Sequence, residues 1–416
     1  MRAMNRNVEI MAPAGGFDSL MAAIQGGADS VYFGIDQLNM RARATMNFTM
    51  DDLPEISRIC KAHGIRSYIT LNTIIYDHDL PRARAIVNAA KEHGISAIIA
   101  SDQAVISYAH SVGVEVHIST QLNVTNFETV RFYSQFADTI VLSRELSLVQ
   151  VKKITDAIRA EQVKGPSGRL VEIEIFVHGA LCMAVSGKCY LSLHTQNSSA
   201  NRGACVQNCR RKYKVTDQED GHEFAIENEY IMSAKDLCTV DFLDDVLESG
   251  VAVLKIEGRG KGPEYVKTVT QCYREAADAY FAGTYTRESA AEWKYRLENV
   301  YNRGFWSGYY LGQKLGEWND TAGSKARQRK IYLGKGSNYF DKIGVAEFLI
   351  ESYSLQKGDQ ILITGPTTGV IETVVKELHT SDGPVERAGK GEFCSIKTDV
   401  PVRRNDKLYK LVAAEK

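Results

Sequence analysis

Cys182, Cys189, Cys205 and Cys209 fall within 28 residues, spaced Cys-x6-Cys-x15-Cys-x3-Cys. They follow a Val/Ile-rich run, Val171 to Val177, that reads as a buried strand. In a reducing compartment clustered thiols persist as thiolate ligands instead of pairing as disulfides, so this spacing points to a metal or iron–sulfur centre. The chain has no Cys-x2-Cys knuckle of the kind that builds structural zinc sites, which weakens zinc without excluding it. Four thiolates also suit a 4Fe-4S cluster. The radical-forming Cys-x3-Cys-x2-Cys arrangement would need a cysteine where Lys212 stands. Cys60, Cys272 and Cys394 lie in apolar settings and read as small buried side chains. Cys238, beside the polar run Ser233 to Leu237, could replace one of the four.

The elements that must position these thiols alternate in type. Strand-like runs at Val8–Ala14, Ser30–Ile35, Arg66–Ile75, Ala97–Ser101, Val114–Leu122, Thr139–Ser143, Val171–Val177 and Val251–Glu257 are separated by amphipathic, helix-length segments. These include Asp18–Gly26, Leu53–His63, Leu80–His93, Gln103–Val112, Phe127–Phe136 and Leu146–Ala160, several followed by a C-terminal Gly. Such alternation predicts an α/β protein with a (β/α)8 TIM-like barrel over residues 1–282, closed by a helix from Pro263 to Phe281. A doubly wound sheet is the alternative, but the first strand leads into Pro13-Ala14-Gly15-Gly16 and not a Gly-x-Gly-x-x-Gly turn. A helical, aromatic-rich segment and the basic connector Lys325 to Lys330 occupy 283–330, and residues 331–416 read as a small C-terminal all-β barrel.

Composition sets the outer bounds. With 416 residues, 44% of them hydrophobic, the chain can bury a full-sized core. Its net charge of −1 gives no global pull toward nucleic acid or anionic lipid, though it can conceal local patches. The polar opening Met1 to Asn7 offers no signal-peptide core, and no run approaches the ~20 apolar residues of a membrane span. A cytoplasmic protein is expected.

In such a barrel the reactive groups gather at the C-terminal ends of the strands. Cys182, five residues past the predicted seventh strand, lies on that face, as does Lys255-Ile256-Glu257-Gly258-Arg259. Alternation sends Lys255 and Glu257 to one side, as proton-moving or substrate-holding groups or as an interior ion pair. Asn72, Gln121, Asn123 and His178 end other strands and join the candidates, His178 as a ligand, an acid/base or a hydrogen-bonded structural residue.

Several segments carry a resemblance. Glu174 to Cys182 (Glu-Ile-Phe-Val-His-Gly-Ala-Leu-Cys) and Gly187 to Ser192 resemble the signature of the U32, or collagenase-like, peptidase family. Ala12 to Gly15, Gly27 to Gly34, Asn47 to Thr49, Asn201 to Cys205, Lys255 to Arg259 and Asn302 to Phe305 extend the resemblance over roughly residues 8–312. The tail is similar to a small domain of translation elongation factors. What the resemblance implies is an iron-sulfur protein that hydroxylates its substrate without molecular oxygen. The substrates known in the family are a tRNA wobble uridine, with prephenate as co-substrate, an rRNA cytidine, and a ubiquinone precursor. Chain length and the C-terminal domain favour the tRNA type, forming 5-hydroxyuridine. The cluster ligands would then be Cys182, Cys189, Cys205 and Cys209. Arg41 and Arg43, with Arg259, become candidates for holding the prephenate carboxylates, since guanidinium groups match carboxylates bidentately.

Charge patterning supports an RNA partner independently. From Thr195 to Val215 there are five cations, Arg202, Arg210, Arg211, Lys212 and Lys214, and no carboxylate. Arg327 and Arg329 in the connector and Arg403 and Arg404 in the tail add to this set, and such side chains position phosphates while stacking and base-edge contacts discriminate. Each run alone could be a solvated face. The competing class is a peptidase, for which the sequence contains no His-Glu-x-x-His helix and no Gly-x-Ser-x-Gly elbow.

Overall fold

The computed structural model describes residues 8–36, 38–43, 47–214, 219, 230–321 and 323–414; the opening Met1 to Asn7 lies outside them. Strands β1 (Glu9–Pro13), β2 (Ser30–Gly34), β3 (Arg66–Leu71), β4 (Ala97–Ala100), β5 (Val116–Ile118), β6 (Thr139–Val141) and β7 (Glu172–Gly179) pair in order, all parallel. The short β8 (Asp236–Cys238) runs antiparallel to β7, and β9 (Val253–Ile256) pairs in parallel with both β7 and β1, closing the ring. Helices α1 (Phe17–Gln25), α2 (Leu53–Ala62), α3 (Leu80–His93), α4 (Gln103–Ser111), α5 (Phe127–Tyr133) and α6 (Leu148–Ala160) follow β1 to β6. The chain is a (β/α)8 barrel, and its predicted strands all form.

The local signals explain the helix ends. Asp102 caps α4 by accepting from the Ala104 amide, and Ser147 and Gln150 form a reciprocal capping box at α6. After β7 the regular alternation breaks. Residues 180–252 form a long excursion containing α7 (Leu191–Gln196), β8 and α8 (Leu243–Glu248) before β9 and α9 (Pro263–Phe281) complete the barrel. Helix α10 (Arg287–Asn299) packs against α9, and β10 (Phe305–Trp306) adds to the barrel sheet beside β8, so the segment after 282 belongs partly to the barrel.

The barrel interior differs from the shell between strands and helices. The shell is a continuous apolar core, whereas the interior combines Met11, Tyr32, Tyr68, Ala97, Ile99 and Val253 with charged side chains. Lys255 Nζ lies 2.6 Å from Glu174 Oε1, and Glu174 Oε2 is 3.3 Å from His117 Nδ1. Tyr68 donates to Glu9 at 2.8 Å, and Arg66 pairs with Glu115 at the same distance near the opposite barrel end.

The C-terminal region is all-β, built on an eight-stranded antiparallel sheet with its own apolar core around Leu333, Phe348, Leu355, Ile363 and Leu408. It is not a loose appendage. Leu362 and Val370 enter the barrel's main apolar core, and Gln25 of α1 donates to the Thr368 carbonyl (2.9 Å) and accepts from the Val370 amide (2.8 Å). Gly369, at φ +67°, lets this clasp close, since a Cβ there would stand 2.5 Å from Gln25 Oε1. The basic connector is not a free linker either: Gln328 to Lys330 already pair with Leu411 to Ala413.

Candidate active site at the barrel mouth

Cys182 follows the end of β7 at Gly179, which lies two residues beyond the predicted strand end at Val177, so the cysteine is nearer the barrel rim than expected. All four clustered cysteines are free thiols, Cys182 exposed and the others partly buried. The excursion that carries them is tied down by its own arginines. Arg210 donates to the Leu181 carbonyl (2.6 Å) and Ser233 Oγ (3.1 Å), and Arg43 donates to Ser198 Oγ (3.1 Å). Arg202 pairs with Asp79 (2.7 Å) and stacks over Tyr76 at 4.3 Å. These ties bring the thiols into one region. Burial raises the Cys209 thiol's pKa against the pull of Arg210, and Cys182, Cys205 and Cys189 each add to that rise by charge proximity. The Gln207 amide donates to Cys205 Sγ at 3.4 Å.

Cys238 is placed elsewhere. It is buried beside Tyr273 Oη (3.9 Å) in the layer between strand and helix, where burial pushes its thiol up to about 12. Among the described residues, no three His, Cys, Asp or Glu side chains stand close enough about one point to hold a single metal ion. Four free thiols on one excursion, three of them acting on the charge of Cys209, make a donor set suited to a thiolate-held centre.

Beside the cysteines lies a concentration of buried charge. Arg41 Nη2 is 2.7 Å from Glu257 Oε1. Burial opposes ionisation of Glu257, but Arg41, Arg144 and Lys261 outweigh it and hold the carboxyl at about 2. Arg144 lies 3.7 Å over the Phe176 ring and donates to the Ala180 carbonyl at 2.8 Å. Buried Arg259 donates to Thr70 Oγ1 at 2.9 Å, and burial lowers it to about 10. Lys261 is lowered by burial, helped by Arg303, to about 8. Arg41, Arg144, Arg259 and Lys261 thus concentrate positive charge around Glu257, with Asp236 also pulling on Lys261, a setting suited to a small anion.

The predicted candidates separate into groups. Lys255 and Glu257 are not each other's partners: Lys255 belongs to the interior with Glu174, and Glu257 to the mouth with Arg41. His178 points away from the mouth. A register shift between Phe176 and His178 breaks the alternation of β7 and turns the ring into the helix layer against Tyr265, Tyr273 and Phe305. Burial pushes it down to about 3 against the pull of Glu257, so it is neutral at neutral pH and has no access to a substrate in the mouth. Asn72 does reach the mouth, accepting from the Met40 amide at 3.3 Å. Of the residues expected to grip RNA, Arg202 and Arg210 are internal ties, and Arg327 pairs with Glu298 and stacks over Tyr295 at 4.6 Å. Arg329 starts the first tail strand. Arg211, Lys212, Arg403 and Arg404 are exposed. Arg144, Lys261, Glu174 and His117 were missed from sequence. Arg144 carried a usable signal, a charged residue just beyond the end of a barrel strand.

Residues 15–320 match peptidase family U32. The chain belongs to that family. Its relatives in U32 include a protein named collagenase from Porphyromonas gingivalis, 57% identical over 98% of this chain and 99% of its own length. An uncharacterized protease of Methanocaldococcus jannaschii is 39% identical over 97% of this chain and 98% of its own length. The tRNA hydroxylation protein P1 of Bacillus subtilis is 30% identical over 92% of this chain and 89% of its own length. Like them, this U32 chain is read as an enzyme. No helix among its described residues is long and apolar enough to cross a membrane.

Proposed function

We propose that this protein is an iron-sulfur-dependent, oxygen-independent RNA hydroxylase that forms 5-hydroxyuridine at the tRNA wobble position with prephenate as co-substrate. The observation that carries the reading is a set of four free thiols on the excursion after β7, three of them near enough to act on Cys209, beside a mouth with several buried cations around Glu257. Cys182, Cys189, Cys205 and Cys209 would hold a 4Fe-4S cluster, which supplies redox chemistry when bound.

The chain's own residues would do the rest. Arg41, Arg144 and Arg259 are fixed by Glu257, the Ala180 carbonyl and Thr70, so they can receive the carboxylates of a dianionic co-substrate without reorganising. Lys261, at about 8, can give up or take a proton near neutrality. Exposed Arg211 and Lys212, at the rim, would meet the RNA backbone. Nucleoside mass spectrometry of tRNA from a deletion strain tests the reading: 5-hydroxyuridine should vanish and return with the wild-type gene, but not with Cys182→Ala. Iron should fall in Cys182→Ala, Cys189→Ala, Cys205→Ala and Cys209→Ala and persist in Cys238→Ala. Unchanged 5-hydroxyuridine in the deletion strain would sink it.

The 57% identity to a protein named collagenase favours a second reading, a U32 peptidase. Among the described residues no Ser, Thr or Cys side chain hydrogen-bonds a His ring; the His ring hydrogen bonds run to Glu174 and Tyr273. Cleavage of gelatin by the purified protein, abolished by a mouth substitution such as Glu257→Gln, would establish that reading.

A further inference from the structure

A cavity of about 230 Å³ opens at the mouth between the ends of β3, β4 and β5 and the loop that leads into Cys189. Its wall combines uncharged polar side chains, Asn72, Thr73, Gln121 and Asn201 among them, with the apolar Met40, Ile74 and Leu122, one carboxylate, Asp102, and one cation, Lys188. Three of these groups have buried polar atoms without a hydrogen-bond partner among the described residues: Thr73 Oγ1, Gln121 Oε1 and Asn201 Oδ1. Thr73 is only 1% exposed. Buried polar atoms are satisfied in the great majority of cases, so three orphans around one cavity are an unusual concentration.

The local backbone is arranged to permit this. Gly187, at φ +71°, approaches Gln121 so closely that a Cβ would stand 2.5 Å from Oε1. Asn201 is fixed through its carbonyl, which accepts from the Ile74 amide at 3.1 Å, and Asn72 Oδ1 accepts from the Met40 amide. The side-chain amides of Gln121 and Asn201 offer both a carbonyl and an NH2, and the Thr73 hydroxyl donates or accepts. That set complements a planar ring whose edge alternates C=O and N–H. The near-neutral wall suits an uncharged ligand, in contrast to the arginine-rich ground beside Glu257. The volume falls below the ~300–1,000 Å³ of sites for drug-sized ligands, which fits one small heterocycle.

We propose that this cavity receives a single pyrimidine base turned out of an RNA strand, its C=O/N–H edge read by Thr73, Gln121 and Asn201. This rests on the RNA reading above and adds to it the seat of the reacting base. Enzymes that work on a base take it out of its stack into a fitted pocket and read its pairing edge by hydrogen bonds. The pocket wall includes Gly187 and Lys188, immediately before Cys189, so the base would sit beside the thiols.

The test uses the full protein and fluorescence anisotropy on two short single-stranded RNAs, one with a single uridine in an otherwise identical strand and one with an abasic site there. Wild type should bind the uridine strand about tenfold more tightly, as expected where buried polar groups are satisfied by one ligand and stranded by the other. Thr73→Val and Gln121→Met, each checked for folding by circular dichroism, should bring that ratio close to one while leaving affinity for the abasic strand unchanged. A ratio near one in wild type, or the full ratio surviving in both variants, overturns the assignment. Free uridine competing as well as the uridine strand overturns the RNA source. Wobble hydroxylation of whole tRNA is measured separately: its absence together with an intact tenfold ratio defeats the hydroxylase reading and leaves the pocket standing.

Discussion

His117, inside the barrel, and His178, in the layer between β7 and α9, are 0% and 1% exposed, yet their surroundings shift their pKa values in opposite directions. His117 lies 3.3 Å from Glu174 and 3.5 Å from Glu115, and although burial disfavours its charge, the two carboxylates raise its pKa. His178 has three aromatic rings as neighbours, and burial wins, lowering it to about 3. Burial alone therefore does not decide whether an interior histidine is charged; the partner does. The interior of this barrel pairs its charges around Glu174, and the aromatic pocket around His178 offers no carboxylate partner among the described residues.

The strongest way to break the contrast is Glu174→Gln, which leaves both Lys255 and His117 without their shared carboxylate. Removing one partner of a buried pair should cost about 3–5 kcal/mol, read from urea unfolding, and Lys255→Met in the same chain should recover part of it. A loss below about 1 kcal/mol would mean that water or a neighbour replaces Glu174. His178 should make its own mark on the pH dependence. Its folded pKa of about 3 lies under the ordinary 6.5, so between these values the unfolded chain binds a proton that the folded one refuses. Stability should thus fall as pH drops from about 6.5 to about 3. His178→Gln should remove that limb from urea titrations, whereas His117 should add stability below 6.5 that is lost as pH rises through its raised value. The apolar cluster of the C-terminal domain offers a control: Ile363→Val should cost about 0.5–1.5 kcal/mol, with no pH dependence of its own. Smallest in energy is Arg211→Glu, expected to weaken RNA binding and lower its log–log salt slope by about one. An unchanged slope would place the phosphates elsewhere.

Strands fully buried on both faces read as short Val/Ile-rich runs, which is why all of β1 to β7 and β9 could be placed from sequence. β8 and β10 could not, because Asp236-Leu237-Cys238 and Phe305-Trp306 are too short to show a period and gain their hydrogen bonds only from tertiary neighbours. The bulge in β7 was equally hidden, and it decides among the readings left open for His178 by turning the ring into the helix layer. The thiol cluster was visible because its ligands are local in sequence. Arg202 and Arg210 were not legible as ties, since what neutralises them is Asp79 far back in the chain and a set of backbone carbonyls. The same holds for Arg41, whose carboxylate arrives from the last barrel strand.

The seam where β1 meets β9 has a consequence for how the protein is made. Strand β1 finds its second neighbour only when residues 253–256 exist, and the clasp of Gln25 onto Thr368 and Val370 covers helix α1 beside that seam still later. At roughly 5–20 residues per second, a ribosome needs on the order of ten seconds or more to pass from β9 to the last strand that packs there, around Leu411. Throughout that interval the apolar face of α1 and α9 is open to solvent or to a chaperone. Synthesis from the N-terminus therefore yields the cysteine loop before it yields the finished barrel, and any centre built on those thiols must be loaded into, or wait for, a closure that comes last.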